Sequence, residues 1–176
     1  MKRGAEFEKE VIRRAALYEK ERLLVLRKVD PPTRIIGKAK IIYLPNPFLD
    51  FVGSYTEAGG RAIFIEAKQT DGDKLGIGSS NSSGVTVKQL HALRVWSASG
   101  AIAAVLWKTP NAIWFVPIEA IESMMYKTQT KRIAEADLPK FCFCGNTVKS
   151  IKLLSTMRRI YGVPAKASAH TVRCRA

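Results

Sequence analysis

The run from Leu49 to Gln69 narrows what this chain can fold into more than any other stretch. Leu49-Asp50-Phe51-Val52-Gly53-Ser54-Tyr55 and Arg61-Ala62-Ile63-Phe64-Ile65-Glu66-Ala67-Lys68-Gln69 are both rich in β-branched and aromatic residues. Thr56-Glu57-Ala58-Gly59-Gly60 joins them, and a short loop with two glycines accepts the positive φ angles that a tight connection needs, so the two runs predict a hairpin. Residues i, i+2 and i+4 of a strand share a face. Phe64, Glu66 and Lys68 therefore point one way, and Ile63, Ile65 and Ala67 point the other, into the core. Asp50, on the partner strand, lies within reach of the acid and the lysine.

Carboxylates brought together repel unless a cation sits between them, and hard oxygen ligands suit a hard divalent ion. Asp50, Glu66 and the Ala67 carbonyl offer such oxygens, and Lys68 is placed to orient or activate a water and to offset charge on an attacked phosphate. Glu-x-Lys is equally a common salt bridge on an exposed strand face, so the pair alone leaves both readings open. The spacing Asp-x15-Glu-x-Lys resembles the PD-(D/E)xK nuclease signature, with Leu-Asp in place of Pro-Asp.

The chain of 176 residues is long enough for one domain with a real core, and 47% hydrophobic with 25% charged residues is a globular composition. Its formal charge of +14 comes from 29 Lys and Arg against 15 Asp and Glu. The excess is uneven, because residues 127–176 hold 11 basic and 2 acidic residues. A polyanion is the expected partner. Nucleic acid ranks ahead of a membrane surface, because no apolar run reaches the roughly 18 residues of a spanning helix. Cys142, Cys144 and Cys174 form no paired framework and no zinc spacing; the first two read as alternating strand residues in a reducing cytoplasm. The first residues carry charge with no apolar segment behind it, which is not the pattern of a secretion signal.

In chain order, Phe7, Val11, Ala15 and Tyr18 form the stripe of an amphipathic helix over 4–22, with Glu8 about 100° around from Phe7 at the edge of the packed face. Leu23 to Val29 reads as a strand, apolar first and basic at its end, and Asp30-Pro31-Pro32 stops it. Thr33 to Pro47 mixes Arg34, Lys38 and Lys40 with isoleucines and is expected to form a short hairpin whose cations meet phosphates, or an edge ribbon. Asp71 to Gly84, rich in Gly, Ser, Asn and Asp, reads as a mobile loop just beyond the site. Thr86 caps a helix to about Ala98, with Val87, Leu90, Leu93 or Arg94 and Val95 spaced for one face. Ala101 to Trp107 is a near-continuous apolar strand covered on both faces, and Ala112 to Ile118 a second one, with their tryptophans in the core. Glu119 to Met125 reads as a short helix, Lys127 to Pro139 as a polar basic stretch, Phe141 to Gly145 as a brief strand, and Thr147 to Tyr161 as a helix with a cationic face. The organisation expected is one nuclease domain over 1–162, with 29–47 as a short DNA-contacting projection, and a flexible basic tail over 163–176.

The order helix, strand, hairpin, helix, strand, strand is similar to the α/β core of PD-(D/E)xK, restriction-endonuclease-like enzymes, a mixed central sheet flanked by helices. Four motifs together resemble the RecU-type Holliday junction resolvases more closely. Arg3-Gly4-x-x-x-Glu8 is similar to the opening of that family. Leu49 to Tyr55 resembles its Asp-Tyr-x-Gly-x-Tyr run, and Ile63 to Thr70 its Phe-Glu-Ala-Lys-Glu-Thr strand. The helix carrying Gln89 resembles the glutamine helix that follows. The archaeal-type Hjc resolvases share this core in a compact form. The resemblance implies that Asp50, Glu66 and Glu8 are metal ligands for Mg²⁺, with Mn²⁺ able to substitute. It also implies that Lys68 is the catalytic lysine, that Gln89 joins Asp50 and Glu66 in the catalytic set, and that Arg3, Lys28, Arg34, Lys38 and Lys40 contact DNA. The implied protein is a cytoplasmic homodimer of bacterial or phage origin that resolves four-way junctions by paired nicks. The segment between Val29 and Asp50 is shorter than the family's stalk, and Phe48-Leu49 replaces its Thr-rich lead-in. The same fold acting on ordinary duplex in restriction or repair, or binding DNA without cutting it, remains open at this point.

Overall fold

A computed structural model describes residues 4–30, 33–36, 40–43, 49–79 and 84–162. Helix α1 (Ala5–Lys20) buries Phe7, Val11 and Ala15, one residue per turn, with Glu6 and Glu8 at its N-terminal end and Lys20 at its C-terminal end, which complements the helix dipole. Strand β1 (Leu24–Lys28) follows, and β2 (Thr33–Ile36) and β3 (Lys40–Tyr43) pair with each other in a two-stranded sheet. The expected hairpin is β4 (Phe51–Tyr55) with β5 (Arg61–Gln69), antiparallel, with Gly59 and Gly60 at φ 71° and 79° in the turn. Gly53 serves a different need: a Cβ there would collide with the Val25 carbonyl of β1. The close approach of β1 to β4 therefore excludes any side chain at this position.

After β5 come β6 (Lys74–Ser79), β7 (Val85–Thr86), α2 (Val87–Ala98), β8 (Ile102–Lys108), β9 (Ile113–Pro117), α3 (Ile118–Thr128), β10 (Arg132–Ala134), β11 (Phe143–Gly145) and α4 (Leu153–Tyr161). The main sheet has six strands in the order β1-β4-β5-β8-β9-β11, parallel only where β5 meets β8, which is the α2 crossover. This mixed sheet with helices on both faces is the architecture expected of the restriction-endonuclease-like core.

Strand β8 is buried throughout from Ile102 to Trp107 and its alternation feeds two cores. Ile102, Ala104 and Leu106 join Ile63 and Ile65 beneath α1 and α4, whereas Ala103, Val105 and Trp107 pack with Leu90, Leu93, Ile118 and Ile121 of α2 and α3. Trp107 is fully buried with its indole N–H donated to Thr70 (2.9 Å), and the half-buried Trp114 donates to Glu135 (3.0 Å). No described helix is long and apolar enough to cross a membrane.

Four expectations need correction. Lys74–Ser79 is a strand and not a loop. It sits between β10 and β7 in a second, three-stranded sheet, and Leu75 and Ile77 are each 1% exposed. The glycines and polar residues around it hide a period-2 pattern of two buried side chains. On α2, Leu90 and Leu93 are buried but Val87 and Val95 are exposed, so the packed stripe is narrower than the spacing suggested. The last helix is also shorter, since Val148–Ser150 forms a separate 3-10 turn before α4. Cys142 and Cys144 are both buried, but only Cys144 lies in a strand, β11; Cys142 ends a 3-10 turn. Cys174 and the expected basic tail over 163–176 lie outside the described residues.

Candidate active site

The hairpin register aligns Phe51 with Ile65, which brings Asp50, one step before β4, level with Glu66. The Asp50 carbonyl accepts from the Val29 amide (2.8 Å), clamping the residue to the end of β1. Its side chain accepts from the Ala67 amide at 2.9 Å, so one carboxylate oxygen takes the place of a ladder partner beyond the end of β4. Glu66 is 2% exposed, and its carboxyl is a hydrogen-bonding neighbour of the Asp50 carboxyl. Lys68, on the same face of β5, places Nζ 2.9 Å from Glu66 Oε1, and the Gln89 side chain donates to the same oxygen at 2.5 Å.

Gln89 is held from both ends. Its backbone N–H donates to Thr86 Oγ1 (3.3 Å), and its side-chain oxygen accepts from the Thr86 N–H (2.9 Å), a reciprocal capping box. Because the Thr86 amide can only donate, the Gln89 amide oxygen must face it. The NH₂ group is thereby turned toward Glu66. The pattern Thr-x-x-Gln at a helix start was the sequence signal for this coupling, and Thr86 is the positioning residue that reading of the motifs missed.

Burial dominates the electrostatics. Desolvation raises the Glu66 carboxyl to about 8, with the Asp50 charge adding to the rise and Lys68 opposing it. Asp50 is also pushed up by burial, against the stabilising Ala67 amide, the Glu66 hydrogen bond and the Lys68 charge. Two buried carboxyls in contact share a proton more readily than they bear two charges. Two hard carboxyl oxygen donors under this strain fit a divalent cation, which would remove the proton and satisfy both.

Glu8 behaves differently. It pairs with Lys28 at 2.9 Å, and Lys28 also reaches Asp30 at 3.5 Å. The hydrogen bond to Glu8 leads the causes that raise the Lys28 ammonium above its usual range. Asp50 still feels the Glu8 charge. Among the described residues, however, no group of three or more His, Cys, Asp or Glu is placed to hold a metal. The structure thus brings Asp50, Glu66, Lys68 and Gln89 together and leaves Glu8 at the rim, engaged by Lys28. Arg34 and Lys40 lie on β2 and β3, while Arg3 and Lys38 are outside the described residues. Phe64, next to Glu66 on β5, stacks on Trp96 of α2 at 3.9 Å and 11°.

No curated protein sequence matches the chain. Among solved structures, the chain is similar to Archaeoglobus fulgidus Hjc, a Holliday junction resolvase from an archaeal hyperthermophile. The identity is 19% and the TM-score 0.42, over 66% of this chain and 73% of that one. The family model RecU, Recombination protein U, matches residues 2–157, a span that takes in both strands of the β4–β5 hairpin, the Gln89 helix and the whole six-stranded sheet. A match of that extent decides the matter, and the chain belongs to the RecU family of Holliday junction resolvases.

Proposed function

We propose that this junction-resolving nuclease is dependent on a divalent metal, Mg²⁺ in the first instance, and that Asp50 and Glu66 hold it. The observation that carries this reading is the buried Asp50–Glu66 carboxyl pair beside Lys68. Resolvase nucleases of this kind generally use divalent metals. A bound metal would supply Lewis-acid polarisation of the scissile phosphate.

The chain's own groups do the rest. Asp50 is oriented by the Ala67 amide and Glu66 by Gln89, so neither carboxylate needs to reorganise when charge develops. Lys68, only 11% exposed as a side chain, sits where an ammonium offsets charge on the attacked phosphate or positions the attacking water. Glu8 joins the site when Lys28 turns from it to DNA phosphate, which would make Lys28 a reporter of bound substrate. Arg3, Arg34, Lys38 and Lys40 add phosphate contacts, and a homodimer supplies two such sites for opposed strands.

The test is incubation of purified protein with a synthetic four-way junction, with and without Mg²⁺, and mapping of the nicks. Asp50→Ala and Lys68→Ala are expected to lower the cutting rate by on the order of 10³ or more while junction binding changes less than about threefold, because affinity comes from distributed cations. Metal-dependent cutting by pure Asp50→Ala protein would remove the assignment. Competition against a linear duplex of equal length checks the junction preference, and equal affinity would favour a duplex nuclease of the same fold.

A further inference from the structure

Most cations on the described surface that lie near a carboxylate are paired with it. Arg13 and Arg14 engage Glu10, Arg27 engages Glu19, Arg94 engages Glu122 and Arg158 engages Glu57. Lys74, Lys131 and Arg132 are different. All three are exposed, they line one open cavity of about 520 Å³, and no ion pair among the described residues engages them. A single carboxylate, Asp137, shares the cavity, and residues 123–134 contain no acid at all.

The second sheet makes this grouping. In the β10–β6 pair Arg132 faces Gly76, Ile133 faces Leu75 and Ala134 faces Lys74. Ile133 and Leu75 are buried, so the alternate positions point outward: Arg132 and Lys74 lie diagonally, about 7–8 Å apart, each opposite a residue with little or no side chain. The result is a cationic face whose two charges are flanked across the strands by Gly76 and Ala134, with Asp137 the single carboxylate beside it. Lys131 is fixed beside it, since its carbonyl accepts from the Ile77 amide (2.8 Å). The nearby end of α3 would repel an anion through its carbonyls, but these are already capped. Thr128 donates to Met124, and the backbone and side chain of Gln129 donate to Met125 and Tyr126. Thr130 donates to the Arg132 carbonyl and holds the turn (2.9 Å).

The face is tied to the catalytic acids. β6 runs from Lys74 to Ser79, about 16 Å at ~3.3 Å per residue, and Ser79 pairs with Thr86, which orients Gln89 onto Glu66. The face and the acids are thus joined through β6, Thr86 and Gln89, with the face at the opposite end of β6 from Ser79.

We propose that Lys74, Lys131 and Arg132 form a second DNA-backbone site, which takes the phosphates of a duplex arm away from the cut strand position. The proposal rests on the reading of the protein as a junction nuclease. Its partner is the phosphodiester backbone, so it supplies affinity and arm placement without sequence preference.

The experiment compares wild type with the triple variant Lys74→Ala/Lys131→Ala/Arg132→Ala. Binding of a long-armed junction is measured in EDTA by anisotropy across a salt series. The triple variant is expected to bind about tenfold more weakly near 0.1 M salt, with the slope of log Kd against log salt flatter by about 2–3. Its single-turnover cutting rate at saturating protein is expected to stay within about twofold of wild type. A second set, Lys9→Ala/Lys20→Ala/Arg22→Ala, removes the same charge from α1 and the turn that follows it, and its affinity should move less than threefold. An unchanged slope in the first set, or an equal loss in the second, overturns the proposal. Phosphate-ethylation interference on wild-type protein covers the case of a variant that does not fold: blocked phosphates on a duplex arm, separate from those flanking the nick, support the site, and their absence overturns it. Whether wild type nicks the junction with Mg²⁺ is read separately, so failure of the arm site and failure of the nuclease reading are distinguishable.

Discussion

The two faces of β5 have opposite chemistry although they are built from alternating residues of one strand. Toward α1 and α4 it presents Ile63 and Ile65, both fully buried in an apolar layer with Phe7, Val11, Leu106 and Phe115. Toward α2 it presents Phe64, Glu66 and Lys68, and Glu66 is as inaccessible as its apolar neighbours. Burial on the first face stabilises the fold through the hydrophobic effect. On the second face burial costs desolvation, which Lys68, Gln89 and the Asp50 contact only partly offset. The fold is therefore held by one side of the strand, and the other carries charge at a cost in desolvation.

The largest test of this contrast is Ile65→Ala, expected to cost about 2–5 kcal/mol through lost burial and a cavity, while cutting at a temperature where the variant is folded stays within about threefold. Thermal denaturation and single-turnover kinetics check the two halves. A variant that lost cutting without losing stability would put the apolar face in the active site and break the comparison.

Next in size is pH dependence without metal. A carboxyl whose folded value is raised binds its proton more tightly in the native state, so its contribution is fully present below its ordinary range and is lost as pH rises through the folded value. With Glu66 at about 8, stability in EDTA is expected to fall by several degrees in Tm between about pH 5 and 8, and millimolar Mg²⁺ should restore part of it at pH 8. The Ile65→Ala penalty should be the same at both pH values. A flat Tm profile in EDTA would mean that the acid pair carries no such strain.

The smallest effect sharpens the link between α2 and the site. Thr86→Ala should cost about 1 kcal/mol as a lost N-cap and leave the cutting rate within about twofold, because the Gln89 amide is turned by the Thr86 backbone N–H, which alanine keeps; Thr86→Ser should recover the stability. A severalfold loss of rate would show that the Thr86 hydroxyl, and not only the backbone N–H, holds Gln89 on Glu66.

Much of the candidate site's geometry was legible because a strand's period of two is strict. Asp50, Glu66 and Lys68 follow from alternation plus a two-glycine turn, and no long-range information is needed to place them on one hairpin. Lys74–Ser79 was not legible, because its neighbours are loop-forming residues and its partner strand, β10, lies more than 50 positions further along the chain. Glu8 shows the limit from the other side. Helical spacing puts it at the edge of the α1 stripe, but whether that edge faces the acids or Lys28 depends on how α1 docks on the sheet.

By itself the sequence determined the local facts, which are fixed by backbone periodicity and residue chemistry: the hairpin, the side of it that carries charge, the Thr86 cap and the excess of cations. Only the tertiary structure decided which of those charges are buried or paired. It sealed Glu66 under α2, gave Lys28 to Glu8, and set Lys74 beside Arg132 with no ion pair to either among the described residues. The physical reason is that the energy of a charge depends on its solvent exposure and its nearest counter-charge, and both are set by residues distant in the chain.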